Sequence, residues 1–140
     1  MKHIFMDTNV VIDFLANRQP FSLDAARLFN MAINEKAAIY ISAVSYNNIY
    51  YILRQSLSND AAIKLLTELA DMTEIIDVTR LIIRQALKSG FKDYEDAIQY
   101  YCALGNRDID FIVTRDTKDF KKSTLSVMTP SEAVSSLGVA

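Results

Sequence analysis

Five short apolar runs, His3–Met6, Ala38–Ile41, Glu74–Ile76, Asp110–Val113 and Ser126–Met128, are separated by longer stretches of helical periodicity. Runs this short, set between polar residues, read as buried strands. Strands joined through helices pair in parallel, with helices covering both faces of the sheet. The helical patterns span Leu23–Lys36, Ala43–Gln55, Ala61–Met72, Thr79–Ser89 and Tyr94–Leu104. In the first, Leu23, Ala26, Leu28, Phe29, Ala32 and Ile33 gather mostly on one face, as a helix packing on a sheet requires. Ser58 or Asn59 is placed to cap the helix from Ala61, and Thr129-Pro130-Ser131-Glu132 has the form of a capping box with proline at the first helical position. Gly90 and Gly138 fall where helices should stop. With 140 residues and no internal repeat or linker, the expectation is one α/β domain over residues 1–140, built as three layers.

The residue inventory narrows the chemistry. His3 is the only histidine and Cys102 the only cysteine, so neither a zinc set nor a histidine-centred triad is available. A lone cysteine forms no internal disulfide, and no apolar run approaches the ~20 residues of a membrane span. Asp7 interrupts the place where an export signal is apolar, so the expected location is cytoplasmic. Fifteen Lys and Arg against 17 Asp and Glu give a formal charge of −2 and a pI near 5.3. That balance excludes a coat protein that holds nucleic acid by bulk charge, but not one that uses a local basic patch or bound metal.

Carboxylates are therefore the residues to follow. Asp7 ends the first apolar run and opens Thr8-Asn9-Val10, which places it at the mouth of an α/β sheet, where such folds bind ligands. Asp116 repeats this arrangement after the run Asp110–Val113, with Thr114 and Arg115 between. Asp93 and Asp96 lie three apart in Lys92-Asp93-Tyr94-Glu95-Asp96 and so share one helix face, where like charges repel unless a cation lies between them. Each acid taken alone also suits a helix cap or a turn. Oxygen donors without histidine or cysteine suit the hard cations Mg²⁺ and Mn²⁺.

The segments Asp7-Thr8-Asn9-Val10-Val11-Ile12-Asp13, Asp96-Ala97-Ile98 and Thr114-Arg115-Asp116, with Asp119-Phe120, resemble the motifs of PIN-domain proteins in order and spacing. Tyr46–Leu53 and Lys92–Tyr101 look like a branch of that family common in bacteria. The resemblance covers essentially the whole chain. It implies a three-layer α/β/α domain with a mostly parallel five-stranded sheet of order 3-2-1-4-5. It also implies Mg²⁺- or Mn²⁺-dependent endoribonuclease chemistry on single-stranded RNA, as in the toxin half of VapC-type toxin–antitoxin pairs. Asp7, Asp96 and Asp116 then become metal-binding acids, Asp93 a fourth, and Asn9, Asn48 and Thr114 supporting residues. A cognate antitoxin and a homodimer are implied in the same way.

One departure stands out. Many PIN nucleases supply a glutamate from the helix after Ile41-Ser42-Ala43, where this chain has Asn47-Asn48. That substitution leaves open a second reading, a catalytically silent PIN module that binds RNA or a protein partner. A likeness of Asp7-Thr8-Asn9-Val10-Val11 to haloacid-dehalogenase enzymes fails at Asn9, where that family wants an aspartate.

Two basic sets are candidates for RNA contact. Arg80, Arg84 and Lys88 recur at four-residue spacing on one helix, with Arg84 and Lys88 nearest the acidic segment. Arg115, Lys118, Lys121 and Lys122 cluster around Asp116, with Arg115 and Lys118 the foremost candidates. Tyr46, Tyr50, Tyr51, Tyr100 and Tyr101 sit at helical spacings and read as core or interface residues rather than base-stacking platforms.

Overall fold

The computed structural model describes residues 1–138. Five strands, β1 (Lys2–Met6), β2 (Ala37–Ser42), β3 (Glu74–Ile76), β4 (Phe111–Val113) and β5 (Ser126–Met128), form one parallel sheet in the order β3-β2-β1-β4-β5. The helices are α1 (Thr8–Leu15), α2 (Ser22–Ile33), α3 (Ala43–Leu53), α4 (Asn59–Met72), α5 (Arg80–Leu87), α6 (Tyr94–Leu104) and α7 (Pro130–Leu137), and a 3-10 turn covers Thr117–Phe120. This is the α/β/α architecture and strand order expected.

Strand alternation divides the core into two. Ile4 and Met6 of β1 and Phe111 and Val113 of β4 face one side, against Val10, Leu28, Phe29, Ile49 and Leu69 of the helices. Phe5 and Ile112, one residue out of phase, face the other side against Ile82, Ala97, Ile98 and Cys102 of α5 and α6. A one-residue slip would exchange these two sets, so the apolar pattern pins the register. No described helix is long and apolar enough to cross a membrane.

The ends of the elements follow local chemistry. Ser58, Thr79 and Thr129 cap α4, α5 and α7 through their hydroxyls, and Glu132 completes the capping box on α7. Gly90 has φ +74° in the α5–α6 connection, where only glycine turns without strain, whereas Gly138 closes α7 at φ −94° and needs no such freedom. Tyr100 is buried, Tyr46 bonds Thr73 at 3.1 Å and Tyr50 bonds Asn59, as packing residues do. Tyr51 differs, standing exposed on α3.

Candidate active site

In the order 3-2-1-4-5, β1 and β4 are the adjacent strands from which the connections run off in opposite directions. A crevice opens at their carboxyl ends. Asp7 and Asp116 arrive there from these two strands. The Asp7 N–H donates to Val113 O at 2.9 Å, which continues the β1–β4 ladder to the edge of the site.

Asp7 is almost wholly buried, and both its oxygens are engaged. Oδ1 accepts from the Thr8 N–H at 2.8 Å, and Oδ2 accepts from the Thr114 hydroxyl at 2.8 Å. Thr114 Oγ1 in turn accepts from the Asp116 N–H at 3.1 Å. Asn9 Nδ2 donates to Asp116 Oδ2 at 3.2 Å, so two separate tethers join the first and last acids. Asn9 Oδ1 is buried with no hydrogen-bond partner among the described residues. A buried oxygen left this way lacks a donor or a cation.

Asp96 enters from the first turn of α6. Burial, followed by the charges of Asp7, Asp93, Asp119 and Glu95, pushes its carboxyl up to about 7. Burial likewise lifts Asp7 to about 6, against the lowering pull of Thr114 and Thr8 and with smaller contributions from Glu95 and Asp116. Both shifts have one cause: carboxylates crowded into a poorly hydrated place without a positive charge to balance them. Among the described residues, no three His, Cys, Asp or Glu side chains are drawn close enough to hold a metal as they stand. The donor set is nonetheless all oxygen, and the mutual repulsion of the acids is what a divalent cation relieves.

The remaining candidates divide. Asp93 caps α6, its Oδ1 accepting from the Asp96 N–H at 3.0 Å, and it lines a neighbouring cleft. Asn48 projects from α3 to donate from Nδ2 to Glu95 Oε1 at 2.7 Å. Glu95, whose charge acts on both Asp7 and Asp96, was not singled out from the sequence. The only signal for it was its place in the same acidic run.

Arg115 is only partly exposed and is already paired. Its Nε and Nη2 donate to Asp13 Oδ2 and Oδ1 at 2.7 and 3.3 Å, and its guanidinium lies 4.1 Å from the centre of the Phe21 ring. The Asp13 side chain is 1% exposed, so Arg115 serves first as the partner of a buried charge. An aspartate between Ile12 and Phe14, on the apolar side of a helix, was the sequence signal for that pair. Lys118 lies beside Asp96 in a shared cleft, whereas Arg84 and Lys88 are exposed on α5 outside it.

Beneath the acids, Gln99 of α6 donates from Nε2 to Thr8 Oγ1 at 3.1 Å and Ser45 Oγ at 2.9 Å. Thr8 and Ser45 bond each other at 2.6 Å, and Ser42 joins at 3.0 Å. This buried knot ties together the first turns of α1 and α3 and the middle of α6, the helices from which Asn9, Asn48 and Asp96 project.

The family model for the PIN domain matches residues 3–118. The chain belongs to the PIN-domain family. Among solved structures, VapBC-1 of nontypeable Haemophilus influenzae is similar over 92% of this chain and 98% of its own, with TM-score 0.68 and 17% identity. A toxin–antitoxin complex from Klebsiella pneumoniae is similar over 91% of this chain and 97% of its own, with TM-score 0.64 and 23% identity. VapC20 of Mycobacterium tuberculosis, described as a sarcin–ricin loop cleaving toxin, is similar over 78% of this chain and 86% of its own, with TM-score 0.59 and 16% identity. At these identities the likeness shows the PIN fold of such toxins. No curated protein matches the chain.

Proposed function

We propose that this PIN domain is a Mg²⁺- or Mn²⁺-dependent endoribonuclease acting on single-stranded RNA, and the toxin of a toxin–antitoxin pair. The observation that carries the proposal is the pair of carboxyls at the β1–β4 crevice, Asp7 pushed up to about 6 and Asp96 to about 7, with Asp116 tied to the same edge through Thr114 and Asn9. The toxin role draws on the likeness to VapBC-1 of Haemophilus influenzae and to the toxin–antitoxin complex from Klebsiella pneumoniae, and brings an antitoxin as the expected partner.

Asp7, Asp96 and Asp116 would hold the metal, with Glu95 beside them as a further acid and Asp93 behind it as the helix cap. When bound, a divalent ion supplies neutralising charge for the phosphodiester and lowers the pKa of a water. The chain's own residues set the geometry. The Thr114 hydroxyl fixes Oδ2 of Asp7, Asn9 fixes Oδ2 of Asp116, and Asn48 fixes Oε1 of Glu95. Holding the carboxylates in place before substrate arrives spares the reaction their reorganisation.

A second reading, a silent module that binds RNA or a protein, is favoured by Asn48 standing where many relatives carry an acid. One experiment separates the two. Purified wild type and Asp116→Asn are incubated with a mixed pool of single-stranded RNAs and Mn²⁺, and new RNA ends are mapped. The proposal expects ends that appear with wild type and vanish with the variant. Intact RNA in both would leave the silent module standing.

A further inference from the structure

Half of the chain's eight lysines, Lys92, Lys118, Lys121 and Lys122, line one cleft of about 420 Å³. The cleft lies between the segment leading into α6 and the 3-10 turn after β4, and its floor includes Asp96. Lys92, Lys118 and Lys121 are exposed. Lys122 is tied across the mouth, its Nζ donating to Gly90 O at 2.8 Å. Four cations gathered by two separate segments of an acidic chain are costly in mutual repulsion. Asp93 and Asp119 in the same walls offset part of this, and no salt bridge joins any of the four lysines to an acid among the described residues. The ammonium groups of Lys92, Lys118 and Lys121 are therefore available to an anion.

We propose that this cleft binds the sugar–phosphate backbone of the single-stranded substrate next to the bond that is cut. Lys118 and Lys121 would contact successive phosphates, and Lys122 would hold the cleft open against the Gly90 loop. The inference rests on the ribonuclease reading and deepens it by naming the path of the strand. It assigns that path to the lysine cleft, away from the basic stripe on α5, because the cleft leads directly to Asp96 and Arg84 and Lys88 do not line it.

Anisotropy titration of a labelled single-stranded RNA of twelve nucleotides, in EDTA so that hydrolysis is off, tests the assignment. A DNA strand of the same sequence and an RNA duplex serve as parallel probes. The Lys118→Ala/Lys121→Ala variant is expected to bind the RNA at least tenfold more weakly in about 100 mM salt. Its slope of log K against log salt should shrink by about 1.4, two contacts at about 0.7 each. The Arg84→Ala/Lys88→Ala variant should bind within twofold of wild type. Both pairs are exposed, and unchanged melting temperatures would show that each variant is folded. An unchanged affinity and slope in the cleft variant, or a duplex bound as tightly as the single strand, would overturn the cleft. Equal binding of the DNA strand would leave the backbone assignment in place and overturn a requirement for ribose. The two readings fail separately: RNA held by the cleft lysines but never cut with Mn²⁺ removes the nuclease, while RNA cut with an unchanged KM in the cleft variant removes the cleft.

Discussion

Asn48 and Glu95 meet across α3 and α6 in a 2.7 Å hydrogen bond, the amide donating to the carboxylate. An amide on α3 thus holds a carboxylate from α6 whose charge bears on both Asp7 and Asp96. The negative charge that Asn48 lacks is delivered by its partner.

That relationship makes Glu95 a better candidate than Asp93 for the fourth acid. Glu95→Gln is expected to weaken Mn²⁺ binding by roughly tenfold or more in a calorimetric titration. Asp93→Asn should change it by less than threefold, since asparagine caps a helix about as well as aspartate and the first turn of α6 stays in place. The reverse order of effects would return the role to Asp93.

The Arg115–Asp13 pair predicts a stability effect without any RNA. Removing the guanidinium leaves the buried Asp13 with only the long 4.0 Å contact to Arg18, and breaking a buried pair in this way typically costs about 3–5 kcal/mol. Arg115→Ala should therefore shift urea unfolding strongly to lower concentration, and Arg115→Ala/Asp13→Leu should recover much of it. A change below about 1 kcal/mol in the single variant would return Arg115 to the list of free RNA contacts.

Thr114 offers a test of how Asp7 is held. Thr114→Val keeps the shape but removes the donor to Asp7 Oδ2 and the acceptor of the Asp116 N–H. Without that hydroxyl, burial pushes the Asp7 carboxyl higher still. The pH midpoint for Mn²⁺ binding should move upward in Thr114→Val and return in Thr114→Ser. Identical midpoints in all three proteins would show that the hydroxyl only fills space.

The fold was legible because its signals are local and repeated. The apolar run His3–Met6 and the caps read at Ser58 and Thr129 each constrain a few neighbouring residues, and the structure agrees with them. The acids at Asp7 and Asp116 were legible for a related reason: a carboxylate at or just past the end of a buried strand stands at the edge of the sheet. What stayed hidden depends on side chains from distant segments. Asn48 and Glu95 are 47 positions apart, and Arg115 and Asp13 are 102 apart. No periodicity encodes either meeting, so Glu95 drew no role of its own from the sequence and Arg115 read as an RNA contact. The knot of Gln99, Thr8 and Ser45 escaped for the same reason, since none of these residue types is unusual in its own helix.

The raised carboxyls give the last prediction its sign. Asp96 titrates near 3.8 in an unfolded chain and near about 7 in the native one. Between those values the native state holds a proton that the unfolded chain has released. The metal-free protein therefore keeps the contribution of this group below about pH 4 and loses it progressively as pH rises through about 7. Asp7 acts in the same direction with its folded value near 6. Wild type in EDTA should melt at a lower temperature at pH 8 than at pH 5.5, and Asp96→Asn should remove much of that difference by raising the pH 8 value. Mn²⁺ should stabilise wild type more at pH 8 than at pH 5.5, because ligand carboxylates must be deprotonated before they bind. It should stabilise Asp96→Asn little at either pH. Thermal scans of both proteins, with and without Mn²⁺ at the two pH values, check every part of this. A variant that melts below wild type in EDTA at pH 8 would show that Asp96 is not held against repulsion at this site.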